Sequence, residues 1–347
     1  MVELHRESES FGDHSLSEKR RQDKGLLLSG GTEEVNLTGP EPGMAEAEVF
    51  YGKILGCVRS VFDRVGEGKE DRIKAEDIVG PLEEFYGYFD MFRDSNDLMR
   101  LVFQHDEYRE NYIYTHSVNV CFLSVRMALE LNFSKSKLLD VMAVSLFHDI
   151  GMMKVPMDMW NTDRKLSPFE YREVQRHPVY GEEILGNISG IADTALQAVG
   201  QHQEKTDGTG YPGGLTKDSI NYLARMVSLV DRYEALTHSR LWRPPFLPDK
   251  AIQQILDNES GSYDPHFMKA MLRYISVFPV ATWVKISSGE IGVIVRINED
   301  TPMRPVVNVI FGRDGNRLPG ARSLDLSKQL LIHVDKCISR EDLPGQA

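Results

Sequence analysis

Six side chains of metal-ligand type, His116, His148, Asp149, His177, His202 and Asp231, recur along the chain at intervals of roughly one helix plus one loop. A fold that gathers them must be a set of packed helices whose ends or inner faces meet at one place. Imidazole and carboxylate donors suit a hydrolytic iron, manganese or zinc centre. Calcium and magnesium favour all-oxygen shells, and structural zinc usually takes thiolates. The pattern therefore points to a metal-dependent hydrolase.

Local periodicity supports this. A His-Asp dipeptide alone means little, because the chain carries a second one, His105-Asp106, without partners at similar spacing. Before His148, however, Leu138, Val141, Met142 and Leu146 form an apolar helical stripe, with Gly151 read as the terminating residue. Val118, Cys121, Phe122, Val125 and Leu129 give a helical face beginning just after His116. Ile191, Ala195, Ala198 and Val199 lead to His202, and Leu223, Met226, Val227 and Val230 flank Asp231, so both should point inward. A carboxylate on an apolar face needs a cation or strong hydrogen bonds to offset its desolvation. Ser167-Pro168-Phe169-Glu170 is a capping box with proline at the first helical position, so a helix starts there and ends at the His177-Pro178 break. His177 could simply satisfy terminal carbonyls, but its place in the rhythm favours a ligand role.

Downstream of His202 runs the segment EKTDGTGYPGGL, residues 204 to 215, which by itself reads as a turn-dense surface loop. Together with FHDIG at 147 to 151, RHPVYGEEIL at 176 to 185 and ARMVSLVDRYEALTHSR at 224 to 240, it resembles the HD-GYP family of HD phosphohydrolases over residues 100 to 278. The resemblance implies an HD-type helical bundle that hydrolyses cyclic di-GMP to the linear dinucleotide or onward to GMP. It implies that His116, His148, Asp149 and Asp231 hold one metal, and that Asp149 bridges to a second held by His177 and His202. Two such ions, iron with manganese as the alternative, sit roughly 3.5–4 Å apart in diester hydrolases and can share an attacking hydroxide. Asp149, Arg240 and Lys154 are then the catalytic candidates. Arg240, Arg243 and Lys205 are candidates for binding substrate phosphate, the arginines by bidentate contact. Gly210, Tyr211 and Pro212 would form a loop able to dock a GGDEF-type cyclase.

Three positions depart from the family pattern. Met152 stands where a phosphate-contacting lysine is usual, Gln203 replaces the second histidine of an HHE run, and Tyr112 occupies the place of a glutamate found in members with a third metal. Two metals are therefore expected, the site of His177 and His202 being the weaker. Met152 and Gln203 also motivate two rivals: a degenerate signalling module that binds metal or nucleotide and docks a partner, and a phosphohydrolase for another nucleotide.

The remaining chain divides around this region. Residues 1–44 lack apolar periodicity and read as a disordered tail, and 45–104 as a helical lead-in whose stripes suit packing rather than chemistry. Residues 105–278 form the catalytic domain. From 279 to 337, TWVKI, EIGVIVRI and PVVNVIFG alternate in β-branched residues between turn signals, predicting a small β-barrel-like module before a short tail, 338–347. The overall class is mainly α. Net charge of −12 argues against a DNA or RNA binder but not against a small anionic dinucleotide, since metals and arginines can make a pocket locally positive. No apolar run reaches the ~18–20 residues of a membrane span. The three cysteines are far apart, so no disulfide framework is expected and a cytoplasmic setting fits.

Overall fold

The computed structural model describes residues 42–92, 96–104, 112–240, 243–298 and 300–345; most of the expected N-terminal tail and the second His-Asp pair, His105-Asp106, lie outside them. Twelve α-helices precede a five-stranded sheet among the described residues. The helices are α1 (Pro42–Gly66), α2 (Ala75–Met91), α3 (Asp97–Gln104), α4 (Tyr112–Glu130), α5 (Lys135–Phe147), α6 (Met157–Trp160), α7 (Pro168–Val174), α8 (His177–Gly186), α9 (Asp193–Gln201), α10 (Tyr222–Thr237), α11 (Pro248–Glu259) and α12 (Pro265–Tyr274).

Helix starts follow capping chemistry. Ser134, Asn221 and Asp264 each accept a backbone N–H at the head of α5, α10 and α12. The capping box at α7 has both of its bonds, Glu170 N–H to Ser167 Oγ at 3.3 Å and Ser167 N–H to Glu170 Oε2 at 2.8 Å.

Helix α4 is the hub, packing on α1, α5 and α10. The sequence suggests one apolar stripe there, yet Ser117, Asn119 and Ser124 are buried with the apolar positions, so α4 is enclosed on every side. His116 lies within its second turn rather than ahead of it. The lead-in helices share this core: Phe50 of α1 stacks on Phe122 of α4 with centroids 5.7 Å apart, and Phe89 of α2 meets the same ring edge-on at 5.2 Å.

Gly151 does not terminate α5, which ends at Phe147. It sits inside the 3₁₀ turn Ile150–Lys154 that follows. A Cβ at Gly151 would stand 2.0 Å from the His177 carbonyl oxygen and 2.6 Å from Gly181 N, so the glycine is required by close backbone contact with α8.

The C-terminal strands are β1 (Trp283–Ile286), β2 (Ile291–Arg296), β3 (Val306–Phe311), β4 (Arg317–Asp325) and β5 (Val334–Cys337), all paired antiparallel in the order β4-β3-β2-β1-β5. β4 and β5 are the two ends of that order, so the pairing is that of an open sheet and does not close the barrel-like ring expected from the sequence. Val284, Ile286, Ile294, Val307 and Val309 line its own small core, and Cys337 N–H donates to Asp249 Oδ2 of α11 at 3.4 Å. Among the described residues no helix is long and apolar enough to cross a membrane.

Candidate metal centre

Helix ends build most of the site. His148 caps α5, His202 caps α9, and His177 follows α7 and opens α8. In each, Nδ1 faces the carbonyl oxygen three residues earlier: Ser145 at 2.9 Å, Val174 at 2.7 Å and Val199 at 2.7 Å. A ring that donates Nδ1–H to a carbonyl keeps its lone pair on Nε2, the arrangement common to metal-binding histidines. The three Nε2 atoms converge on Asp149.

Asp149 lies between two groups. Its Oδ2 is 3.7 Å from His116 Nε2 and 3.6 Å from His148 Nε2. Its Oδ1 is 3.2 Å from His177 Nε2 and 3.5 Å from His202 Nε2. Asp231 joins the first group, with Oδ1 at 3.0 Å from His116 Nε2 and 4.0 Å from His148 Nε2. Two potential ion-holding clusters result, His116-His148-Asp149 and Asp149-His177-His202, in each of which the donor atoms lie within 4.8 Å of one another. All four histidines are buried. The structure thus brings together all six side chains picked out by spacing, and their neutral-nitrogen and carboxylate donors fit a divalent cation.

The electrostatics are those of a site built around positive charge. Burial opposes a proton on His116, but Glu234 and Asp231 outweigh it and push that imidazole up to about 10. For His148, burial outweighs the opposing pull of Asp149 and Asp231 and brings the imidazole down to about 4. Although burial works against their charge, Asp149 is held well below the usual carboxylate range by His148, His177 and His202, and Asp231 is held below it by His116.

The expected phosphate contacts are distributed differently. Arg240 stacks over the Tyr112 ring at 4.7 Å, with Nη2 at 3.3 Å from His116 Nδ1 and 3.5 Å from Glu234 Oε2. Arg243 donates to the carbonyls of Ala235, Leu236 and Pro244, holding the C-terminal end of α10. Lys154 is ion-paired with Glu70. Lys205 lies near Asp207, whose carboxylate is held below its usual range first by Thr209 and also by that lysine. Met152 is buried in the helical core.

The loop from 204 to 215 is anchored from within. Glu204, buried, accepts Gly213 N–H at 2.6 Å and Leu215 N–H at 2.9 Å. A Cβ at Gly210 would stand 2.3 Å from Lys205 N, so the chain folds back on itself there. Tyr211 is half-buried, its ring edge-on to His177 with centroids 6.1 Å apart. Pro212 is exposed.

One group takes a role the sequence did not indicate, and another escapes the sequence reading. Gln203 donates Nε2–H to Asp231 Oδ2. Glu234, fully buried, faces His116 Nδ1 through Oε2 at 2.5 Å. Its signal was its place three residues after Asp231, on the same helical face.

The chain is similar to known proteins over the region that holds these residues. Residues 104–267 match the HD domain model, and residues 283–346 match the KOW domain associated with HD domain. The cyclic di-GMP phosphodiesterase PA4108 of Pseudomonas aeruginosa is 30% identical over 79% of this chain and 66% of its own length. The cyclic di-GMP phosphodiesterase PdeB of Borreliella burgdorferi is 25% identical over 58% of this chain and 53% of its own. The 3'3'-cGAMP-specific phosphodiesterase 3 of Vibrio cholerae is 32% identical over 48% of this chain and 36% of its own. The chain thus spans about half to two thirds of the first two relatives. Among solved structures, the HDG"Y"P protein Bd1817 of Bdellovibrio bacteriovorus shares the fold, with a TM-score of 0.56 and 19% identity over 68% of this chain and 73% of that one.

Proposed function

Because the chain belongs to the HD-GYP branch of the HD-domain family, we propose that it is a metal-dependent phosphodiesterase hydrolysing cyclic di-GMP. The observation that carries this reading is the placement of Asp149, whose two oxygens face separate histidine pairs. In this reading His116, His148, Asp149 and Asp231 hold one divalent cation, and Asp149, His177 and His202 hold a second. Iron is favoured and manganese is the alternative. Such a pair activates water and neutralises charge on the cleaved phosphate.

The chain's own residues then bind and orient. His148, His177 and His202 keep Nε2 aimed inward because their Nδ1 protons are committed to backbone. Arg240 adds a fixed positive charge on the Nδ1 side of His116 and is the candidate to meet a phosphate oxygen, while Arg243 stiffens the C-terminal end of α10 that precedes it. Lys154 and Lys205 reach substrate only by leaving Glu70 and the neighbourhood of Asp207. Tyr211, edge-on to His177, would shield that side from bulk water.

A second nucleotide reading has one specific support, the likeness to a 3'3'-cGAMP-specific enzyme. Docking of a GGDEF-type cyclase through Gly210, Tyr211 and Pro212 is third, supported by the exposure of Pro212. One experiment separates these readings: metal analysis of protein purified without oxygen, with cyclic di-GMP and 3'3'-cGAMP turnover measured in parallel. Two ions with preferred cyclic di-GMP cleavage supports the main reading. Preferred 3'3'-cGAMP cleavage selects the second. Bound metal with no turnover of either sinks both enzymatic readings.

A further inference from the structure

Glu234 is an acid with no exposed surface in the last turn of α10, and an unneutralised carboxylate there would be strongly destabilising. Among the described residues, His116, Asn119, His238 and Arg240 converge on it. His116 faces Oε2 through Nδ1 at 2.5 Å, Asn119 donates its amide to Oε1 at 3.1 Å, His238 Nδ1 lies 3.3 Å from Oε1, and Arg240 Nη2 lies 3.5 Å from Oε2. The chain of contacts continues outward: Tyr51 of α1 donates its hydroxyl to Asn119 Oδ1 at 3.1 Å. His238 is fixed from its other side by the Val102 carbonyl of α3 at 2.8 Å from Nε2.

His116 is the exception among the four histidines of the site. His148, His177 and His202 are oriented by backbone carbonyls of their own segments. His116 sits in the second turn of α4, where the carbonyls of the preceding turn serve the helical ladder, and its ring takes its partner from another element. A carboxylate in that place does two things a carbonyl does less strongly: it fixes the ring through Nδ1–H and makes Nε2 a more basic donor.

We propose that Glu234 is a positioning residue that holds His116 with Nε2 turned toward Asp149 and Asp231, and that Asn119 and Tyr51 hold Glu234 in turn. The proposal deepens the reading given above and rests on His116 being a metal ligand. It gives the lead-in helix α1 a part in the site that its packing alone does not.

The test uses the full chain and Zn²⁺ as probe. Wild type, Glu234→Gln, Glu234→Asp, Tyr51→Phe and His116→Ala are titrated calorimetrically, and His116 is followed by ¹⁵N NMR in the Zn²⁺-loaded protein. Glu234→Gln keeps the shape but loses the charge, and is expected to weaken one of the two sites by about 10–100-fold while sparing the other. The His116 Nδ1 resonance should shift in this variant, and Glu234→Asp should recover most of both effects. A carboxylate that merely neutralises Arg240 and His238 would move neither readout. The inference is overturned if Glu234→Gln binds both ions as wild type does, with the Nδ1 resonance unmoved, while His116→Ala loses an ion. Should His116→Ala itself bind two ions normally, the ligand reading has failed first, and this proposal with it. If Glu234→Gln does not fold, Tyr51→Phe decides: a measurable loss at the His116 site supports the chain of contacts, and unchanged affinity overturns it.

Discussion

Gln203 donates its side-chain amide to Asp231, Nε2 to Oδ2, at 3.0 Å. The residue that replaces the second histidine of the family's HHE run is therefore engaged with the cluster of His116 and His148, and not with that of His177 and His202. Gln203→Ala should free Asp231 and weaken the His116 site by about tenfold, leaving the other near wild type. Mn²⁺ titration of the two proteins checks it; equal weakening of both sites, or none, would contradict the assignment.

Asp149 faces both clusters, whereas His177 belongs to one. Asp149→Ala is expected to strip both ions and His177→Ala a single one. Elemental analysis after anaerobic purification gives the stoichiometry, and an Asp149→Ala protein still holding one full equivalent would show that the carboxylate is not shared.

The loop next to His177 should matter for turnover and not for metal content. Tyr211→Ala removes the ring beside His177 without touching any of the six clustered donors, so metal occupancy should stay at wild type while cyclic di-GMP turnover falls at least about tenfold. Glu204→Gln leaves one of two loop N–H groups facing another donor, and is expected to cost about 1–3 kcal/mol in thermal unfolding. Unchanged turnover in Tyr211→Ala, with reduced capture of a cyclase, would instead mark the loop as a docking surface.

Gly151→Ala drives a methyl group into the His177 carbonyl and the backbone of α8. About 3 kcal/mol of destabilisation is expected, together with loss of the second ion, because His177 must move. Chemical denaturation with parallel metal analysis would detect both. A stable, fully loaded Gly151→Ala protein would show that the contact is not tight.

The cysteines give a prediction in pH. Burial, with Asp77 nearby, pushes the Cys57 thiol up to about 11; burial pushes Cys121 up to about 12 and raises Cys337. Thiolate is the reactive form, so near pH 7 Cys57 would carry it in about one molecule in ten thousand. Alkylation of the folded protein should be slow at neutral pH and accelerate about tenfold per unit as pH rises toward 10. Rapid stoichiometric labelling at pH 7 would contradict these burials.

How much of this was legible in the sequence depended on whether a signal was local. His148, His202 and Asp231 could be found because each ends or interrupts an apolar stripe, and His177 because of its place in the rhythm; the helix expected to run on to His177 stops at Val174, and His177 opens the next one. Glu234 was missed: its place three residues after Asp231 is only a weak hint, and its burial depends on Asn119 and His238 converging from other parts of the fold. Gly151 was misread because glycine marks both a helix end and a close approach, and only the position of α8 distinguishes them. The first three strands announced themselves by alternation. β4 did not: Pro319 and Gly320 interrupt it, and as an end strand it buries little besides Leu324.

The bonds from Nδ1 of His148, His177 and His202 to carbonyls three residues back make each imidazole an extension of the helical turn before it. Fraying of such a turn and release of its donor become one event, so bound cations would act as thermodynamic latches on the ends of α5, α7 and α9. Amide hydrogen exchange in those last turns would then report occupancy more sensitively than global unfolding does, and cation depletion would first appear as local opening at three points far apart in sequence.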